Sequence, residues 1–203
     1  IKTFSKILPL DIKEKGILKD RDEKKFLDEL NKNIKHKVDI LITIGAVSAG
    51  KYDYVPRIIN KFKGKGYFKN VKIRPGKPIL FSKLKPGTAF FGLPGNPVST
   101  AACFRFFVLP FIFNSIGYSG SVPIKAKLKN NFKKRKDFTR FIKGKIKISN
   151  KGNTEFEILK GQESYKIKPL ANSNVWGQLN NGRSVFKKGD LIDCHTTFGI
   201  NFF

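Results

Sequence analysis

Apolar strands, glycine-rich turns and helices alternate along this chain through about residue 115, an order that few folds accept. Val38 to Ile44 has the apolar run of a buried strand and ends at Gly45. Thr88 to Leu93 has the same character, and Pro94-Gly95 follows it. In open α/β sheets, ligands bind beyond the carboxyl ends of the strands. The sequence therefore predicts a three-layer α/β domain whose two glycine-rich turns lie at a ligand-binding edge.

Weaker periodic patterns complete this half of the chain. The spacing of Phe26, Leu27 and Leu30 predicts a helix over residues 20–33, with Asp20 as its cap. We also expect helices over residues 51–62 and 98–113, and strands over residues 71–74 and 78–81.

The pattern changes after Gly117, where short alternating segments and Gly/Asn turns begin. Phe141 to Ile148 is typical of a half-buried strand, and Asn150 to Asn153 and Asn180 to Gly182 are typical turns. We therefore predict two domains, residues 1–118 and 119–203, the second a small all-β barrel or sandwich, of which we favour the barrel.

The chain is strongly basic: it has 41 Lys and Arg residues and 15 Asp and Glu residues, which gives a net charge of +26. Such an excess suits nucleic-acid binding. However, 34 of the basic residues are Lys, and abundant Lys, Asn, Ile and Phe is the composition that an AT-rich genome produces, the explanation we favour. No Asp or Glu occurs between Tyr54 and Lys136. That local basic field suits an anionic ligand.

Other features of the sequence bear on membrane insertion, on the redox environment and on further domains. No apolar run reaches the roughly 18 residues of a membrane span, since Arg105, Pro110 and Asn114 interrupt the longest one. Cys103 and Cys194 have no metal-binding spacing and indicate a reduced, cytoplasmic setting. The absence of Met and the abrupt first residues lead us to expect further domains upstream.

The first of three motifs runs from Gly45 to Asp53, between a strand and a helix. Gly45 and Gly50 permit close backbone approach to a ligand, and Ser48 is placed to donate to a phosphate. Asp53 would repel phosphate unless a cation lay between them, which makes it a candidate Mg²⁺ ligand. The alternative is an ordinary strand-to-helix turn with Asp53 as its cap.

The second motif is Arg74-Pro75-Gly76-Lys77-Pro78, a stiff turn that carries two cations. The Arg74 fork suits an oxyanion, and Lys77 adds a point charge. The alternative is a tight hairpin with solvated charges.

The third motif runs from Gly92 to Ser99. Pro97 suits a first helical turn, and Asn96 is either its cap or a ligand contact. Gly95 allows the backbone to approach an anion. A plain capped helix start is the alternative.

In this order and spacing the three motifs resemble the molybdopterin molybdenumtransferase family, whose pattern has a Gly-Gly-Val-Ser-x-Gly-x-x-Asp-Tyr run, a Pro-Gly-Lys-Pro turn and a Gly-Leu-Pro-Gly-Asn-Pro-Val-Ser loop. The resemblance extends from about Gly16 to Asp190 and implies the C-terminal portion of such an enzyme. It implies that molybdate enters the dithiolene of adenylylated molybdopterin while AMP leaves, with Mg²⁺ assisting phosphoanhydride cleavage.

The resemblance also assigns roles to individual residues. Asp20 and Asp53 match acids that the family uses for metal and nucleotide positioning, which makes them catalytic and Mg²⁺-binding candidates. The molybdate contacts implied are Arg74, Lys77, Arg140 (in Phe138-Thr139-Arg140) and Ser164 (in Gln162-Glu163-Ser164). The contacts implied for the pterin and its phosphates are Gly45, Ser48, Gly50, Pro75, Gly76, Gly95, Asn96, Pro97 and Ser99. The sequence departs from the family pattern at Ala46, Lys51, Asn70 and Glu163.

The implied setting is a cytoplasmic homodimer without membrane contact. Three alternatives stay open: a relative that binds or adenylylates molybdopterin without inserting metal, a non-catalytic scaffold, and a basic nucleic-acid-binding module. Exposed Phe and Tyr among the lysines would favour nucleic acid. The spacing of Phe104, Phe106, Phe107 and Phe111 instead indicates a core.

Overall fold

The structure is a computed structural model that describes residues 10–19, 22–47, 54–62, 65–118, 120 and 122–197. A π-helical turn, Phe104–Val108, joins the helices Pro97–Cys103 and Leu109–Ser115. In chain order the elements are α1 (Glu23–Lys35), β1 (Ile40–Ile44), α2 (Val55–Lys61), β2 (Lys65–Lys69), β3 (Ile73–Arg74), β4 (Leu80–Lys83), β5 (Ala89–Leu93), α3 (Pro97–Cys103), α4 (Leu109–Ser115), β6 (Ile124–Leu128), β7 (Phe132–Lys133), β8 (Thr139–Ile148), β9 (Thr154–Ile158), α5 (Lys168–Ala171), β10 (Val175–Leu179), β11 (Val185–Phe186) and β12 (Leu191–Thr196).

The chain forms two compact units that are not consecutive in sequence. The first unit comprises Ile1–Val71 and Pro78–Gly95, and the second comprises Lys72–Lys77 and Asn96–Phe203. The domain boundary predicted between residues 118 and 119 stays a prediction.

The first unit is built on a four-stranded sheet in the order β1-β5-β4-β2. β1 and β5 are parallel, whereas β4 runs antiparallel to both β5 and β2. Phe26 and Leu30 of α1 and Ile58 of α2 pack with Phe90 of β5 in one core. β5 is buried along its whole length, so both faces of the sheet are covered there, as a three-layer α/β domain requires.

Several predicted elements of this unit are shorter or shifted in the structure. α1 begins at Glu23 and its N-cap residue is Asp22, so the cap predicted at Asp20 is wrong; Asp20 itself lies outside the described residues. The strand β2 was not predicted, because its sequence Lys-Gly-Tyr-Phe-Lys has no alternation of apolar and polar residues. Most of its side chains are exposed in the structure.

The second unit contains a closed five-stranded barrel. Its strands pair in the cyclic order β8-β10-β12-β6-β9 and back to β8. β8 closes the ring because it changes partner midway: Arg140 to Gly144 pair with β10, and Gly144 to Ile148 pair with β9. The prediction of an α/β domain followed by a small barrel is confirmed.

Phe156 fills the barrel interior and lies directly against two glycines. A Cβ atom on Gly177 would lie 2.7 Å from the Phe156 Cζ. A Cβ atom on Gly144 would overlap the Phe156 ring and lie 2.7 Å from the Glu157 carbonyl oxygen. The two glycines therefore make room for a ring that is completely buried.

A continuous helical segment, Pro97–Ser115, packs on the outside of this barrel. The ring of Phe106 stacks on Phe141 of β8 with centroids 3.8 Å apart, and Arg105 Nε donates to the Thr196 carbonyl at 2.8 Å. Pro110 lacks an N–H and its ring crowds the carbonyl four residues earlier, which accounts for the π-helical turn just before it.

This segment also corrects one expectation. By length and composition it is long and apolar enough to cross a membrane, with mean hydropathy 1.4, because the π-helical turn lets the helix continue through Pro110. However, 61% of it is buried inside the protein, so it is only weak evidence for a membrane span.

The fit of Phe156 leads to a prediction for Gly144→Ala. The added methyl group must displace the Phe156 ring, so we expect the free energy of unfolding to fall by about 1–3 kcal/mol. Urea unfolding of the variant measures the change. Gly87→Ala is the matched control, since a Cβ at Gly87 meets nothing within 4 Å. Equal stabilities of the two variants would contradict the packing described.

The helix-to-barrel interface leads to a pH prediction for His195. Its ring meets Phe106 edge-on at 5.2 Å, and Nε2 lies 3.0 Å from Gln178 Oε1. Burial, reinforced by the charge of Arg105, lowers the pKa of His195 to about 4 from an ordinary 6.5. The stability that the neutral ring contributes is therefore complete above pH 6.5 and is lost as the pH falls toward 4.

We expect this loss to be about 2 kcal/mol between pH 7 and pH 4. Urea unfolding measures the free energy of unfolding at both pH values. The unaltered chain should lose more of it than the His195→Asn variant does. His36→Asn, at an exposed position, should keep the full dependence. The same pH dependence in His195→Asn as in the unaltered chain would refute the assignment.

Candidate functional site

Two arginines from distant parts of the sequence lie side by side in the second unit. β3 pairs in parallel with the start of β8, with Ile73 opposite Thr139 and Arg74 opposite Arg140. The Thr139 N–H donates to the Lys72 carbonyl at 3.0 Å and fixes the start of this pairing. The predicted cations of two separate motifs are therefore brought together by backbone hydrogen bonds.

Arg140 has one donor without a partner. Its Nη2 donates to the Gln162 carbonyl at 2.9 Å, whereas its buried Nε makes no hydrogen bond. Burial lowers the pKa of Arg140, the charge of Arg74 lowers it further, and Glu163 partly opposes them. A half-buried guanidinium beside a second cation, with a buried Nε donor that has no partner, is arranged to receive an anion.

The turn after Arg74 is held firmly. Pro75 and Gly76 are buried, Arg74 and Lys77 are exposed, and the Arg74–Pro75 peptide is cis. Gly76 has φ +108°, and a Cβ atom there would lie 2.6 Å from Cys103 Sγ. Only glycine fits this position without displacing the helix that bears Cys103.

Lys77 lies near an aromatic ring. Its Nζ is 6.0 Å from the centroid of Phe138, and the Arg135 guanidinium is 5.2 Å from the same ring. Arg135 is also bonded to both carboxylate oxygens of Asp137. Phe138 of the Phe138-Thr139-Arg140 element thus contacts cations from two segments.

Lys143 is a further cation at this site that the sequence did not reveal. It is 1% exposed, and its Nζ donates to the carbonyls of Glu163 at 3.0 Å and Lys166 at 3.2 Å. Burial lowers its pKa, and Arg140 lowers it further. Two cations, Arg140 and Lys143, therefore donate to backbone carbonyls of the loop that carries Ser164.

Gln162 fixes the start of that loop. Its side-chain amide accepts from the Lys143 N–H at 2.9 Å and donates to the Lys143 and Leu159 carbonyls at 2.7 Å. Glu163, one of the departures from the family pattern, is exposed and pairs with Lys166 at 3.1 Å. Its charge is thus partly neutralised by a neighbouring ammonium group.

The start of helix α3 corrects the cap prediction in part. Asn96 is the N-cap residue, but its side chain makes no capping bond, and its Oδ1 is buried without a hydrogen-bond partner. Thr100 instead returns to the Asn96 carbonyl through both its N–H and its hydroxyl. Pro97 is exposed at the first helical position, and Ser99 is buried within the first turn.

The two glycine-rich turns of the first unit meet as predicted. β1 and β5 are parallel neighbours, so their carboxyl ends share one edge. The Gly45 N–H donates to the Leu93 carbonyl at 2.9 Å, and a Cβ atom on Gly95 would lie 3.5 Å from the Gly45 Cα. Gly45 has φ +93° and Ala46 φ +53°, which makes Ala46 a strained departure from the glycine of the family pattern.

Four predicted site residues, Asp20, Ser48, Gly50 and Asp53, lie outside the described residues, as does Lys51. Asn70 is exposed with φ +61°, a conformation that Asn tolerates better than Lys. In the part of the chain that the structure describes, no three His, Cys, Asp or Glu side chains come together as a metal site. The Mg²⁺ assignment to Asp20 and Asp53 therefore rests on the sequence alone.

The placement of aromatic residues argues against nucleic-acid binding. Of the Phe residues that the structure describes, none is exposed, and Phe104 is buried while Phe106, Phe107 and Phe111 are half-buried. Among the described residues, the exposed aromatics are Tyr67, Tyr118 and Tyr165, which lie in separate segments. They form no stacking surface of the kind that single-stranded nucleic acid needs.

Comparison with known proteins points to one family. Residues 3–114 match the family model described as a probable molybdopterin binding domain, and residues 125–196 match the model of the MoeA C-terminal region, domain IV. Molybdopterin molybdenumtransferases of Staphylococcus aureus strain Mu50 and of Staphylococcus epidermidis strain RP62A are 34% and 30% identical over 91% and 100% of this chain. The chain spans 44% and 48% of the length of these two relatives.

Solved structures share the fold. The molybdopterin biosynthesis MoeA protein of Pyrococcus horikoshii OT3 matches 89% of this chain and 41% of its own, with TM-score 0.67 and 24% identity. A molybdenum cofactor biosynthesis protein of Pyrococcus furiosus matches 85% of this chain and 54% of its own, with TM-score 0.63 and 18% identity. With both family models matched in order, the chain belongs to the MoeA family of molybdopterin molybdenumtransferases.

Proposed function

We propose that this chain is part of an enzyme that transfers molybdenum from molybdate to adenylylated molybdopterin in molybdenum cofactor biosynthesis. The observation that carries the proposal is the Arg74–Arg140 pair with the unpartnered Nε of Arg140. Molybdate is a tetrahedral dianion, and a guanidinium fork offers it parallel N–H donors in a fixed plane. Membership of the family and the names of its relatives support the same reaction.

The proposed site residues divide into those that bind molybdate and those that bind the pterin and its phosphates. Arg74, Lys77, Arg140 and Ser164 bind molybdate, and Lys143 and Gln162 keep the Ser164 loop in place. Backbone groups of the glycine-rich turns hold the pterin and its phosphates through Gly45, Ser48, Gly50, Pro75, Gly76, Gly95, Asn96, Pro97 and Ser99. The buried, unpartnered Oδ1 of Asn96 is an acceptor for a pterin N–H donor.

In the proposed reaction the two dithiolene thiols of molybdopterin form two Mo–S bonds, and one oxo ligand of molybdate leaves as water with the two thiol protons. A water molecule attacks the phosphoanhydride, the P–O–P bond breaks, and AMP leaves while the second phosphate stays on the pterin. The fixed cations stabilise molybdate while it is held against the pterin, because they need no reorganisation as charge moves. Asp20 and Asp53 would hold Mg²⁺, which supplies charge neutralisation for the leaving phosphate.

The proposed setting is the cytoplasm, where Cys103 and Cys194 stay reduced. Both thiols are buried and free, and burial raises their pKa values to about 12, so neither is a reactive thiolate. A homodimer is proposed on the resemblance to the family alone.

The molybdate site is tested by Arg140→Ala. Removing charge-assisted hydrogen bonds should weaken molybdate binding by about 10- to 100-fold, measured by isothermal titration calorimetry. Arg140→Lys should recover only part of the affinity, since an ammonium lacks the Nε donor. Arg183→Ala is the control, because Arg183 is bound to Asp190 in the same module. Unchanged molybdate affinity in Arg140→Ala rules out the assignment.

The metal assignment is tested by Asp53→Asn. Loss of one anionic oxygen ligand should raise the Mg²⁺ concentration needed for half-maximal AMP release roughly tenfold or more. AMP release from adenylylated molybdopterin in the presence of molybdate is followed across a Mg²⁺ titration. Asp11→Asn, in an exposed ion pair with Lys13, should behave as the unaltered protein does. An identical Mg²⁺ dependence in Asp53→Asn would remove Asp53 from the metal site.

A further inference from the structure

A surface cavity of about 490 Å³ lies in the C-terminal module, on the loop between β9 and α5. Arg74 and Arg140, the carriers of the proposed oxyanion site, are not among the residues that line it. Its volume is within the usual range of small-molecule sites, roughly 300–1,000 Å³. The cavity is lined by Leu159, Lys160, Gly161, Lys166, Ile167, Lys168, Pro169 and Asn172.

The lining combines an apolar surface with positive charge. Leu159, Ile167 and Pro169 supply the apolar part. The ammonium groups come from Lys160, Lys166 and Lys168, and no acidic residue is in the lining. Lys166 pairs with Glu163, whereas no acid among the described residues lies within ion-pair distance of Lys160 or Lys168. A ligand that matches this lining has an apolar body and a negative group.

The wall of the cavity is braced from behind. Three hydrogen bonds reach the backbone of this wall: Gln162 Nε2 donates to the Leu159 carbonyl at 2.7 Å, and Lys143 Nζ donates to the Glu163 and Lys166 carbonyls at 3.0 and 3.2 Å. Two more join the Gln162 amide to the Lys143 backbone at 2.7 and 2.9 Å. Gly161 has φ +84°, and a Cβ there would lie 3.0 Å from Pro169 Cγ. Because the wall is already ordered, a ligand loses less free energy in fixing it.

The rim leaves apolar side chains open to solvent. Tyr165 is 68% exposed and Ile167 is 53% exposed, and both lie between Lys160 and Lys168 in the sequence. Ile167 lines the cavity, so an apolar ligand body there would cover apolar surface that is now open to solvent.

We propose that this cavity binds a small organic anion, an aromatic or aliphatic body that carries a sulfonate, carboxylate or phosphate group. The body packs on Leu159, Ile167 and Pro169, and the anionic group lies among Lys160, Lys166 and Lys168. No residue proposed to bind molybdate lines this cavity, although Ser164 lies in the loop that forms its wall, and the proposal does not depend on the transferase function.

The probe is 1-anilinonaphthalene-8-sulfonate, whose naphthalene body and sulfonate match this lining. N-phenyl-1-naphthylamine has the same body without the charge. Fluorescence titration of the chain should give tighter binding of the sulfonate than of the neutral amine, and the difference should shrink at high salt. Backbone amide shifts in the NMR spectrum should map the sulfonate to residues 159–172.

Two variants and a control separate charge from shape. Lys160→Ala with Lys168→Ala should weaken the sulfonate about fivefold and leave the amine unchanged. Ile167→Asp should weaken both probes. Lys145→Ala with Lys151→Ala removes two exposed lysines outside the lining and should change neither. The thermal midpoint of each variant verifies that it is folded.

The outcomes decide between the site and its rivals. Sulfonate affinity that falls equally in the pocket and control pairs would show general attraction to a basic surface and overturn the proposal. Amide shifts that map elsewhere, or no saturable binding, would overturn it as well. A soluble acidic peptide that binds at residues 159–172 when the sulfonate does not would replace the small anion by a peptide, and the proposal would fail.

Discussion

The two-residue pairing of β3 with β8 is the contact on which the candidate site depends. It aligns Arg74 with Arg140, although the two are far apart in the sequence. Burial makes the Arg140 guanidinium costlier to keep charged, and the charge of Arg74 adds to that cost. The barrel offsets this electrostatic cost and keeps the two arginines in place, because its long strand β8 is hydrogen-bonded to both β10 and β9. Rigid scaffolding of this kind is what a preorganised anion site needs.

Local sequence patterns predicted the parts of the structure that local physics decides. The apolar runs before Gly45 and Pro94 are strands, and the parallel pairing of β1 with β5 brings both turns to one edge, as expected. Gly76 was predicted as part of a stiff turn, and its positive φ shows why glycine is there. In each case the signal is a backbone preference carried by one or two residues.

The features of the site that the sequence did not predict depend on contacts between residues far apart in the chain. Nothing near Lys143 in the sequence shows that its ammonium is buried against two carbonyls, and nothing near Gln162 shows that its amide bonds both sides of Lys143. The Asn96 cap was predicted from its place before Pro97, but the Asn96 Oδ1 accepts no capping hydrogen bond, and Thr100 bonds the Asn96 main-chain carbonyl. Lysines and amides have no periodic signature, so their partners emerge only when the chain is folded.

The path of the chain between the two units has an evolutionary consequence. The six residues Lys72–Lys77 belong to the second unit but are encoded between β2 and β4, which belong to the first. Recombination that exchanged only the C-terminal coding segment between two relatives would separate Arg140 from the strand that evolved beside it. Arg74 and Arg140 are therefore expected to be inherited together, so that the sheet of the first unit and the barrel of the second share one history.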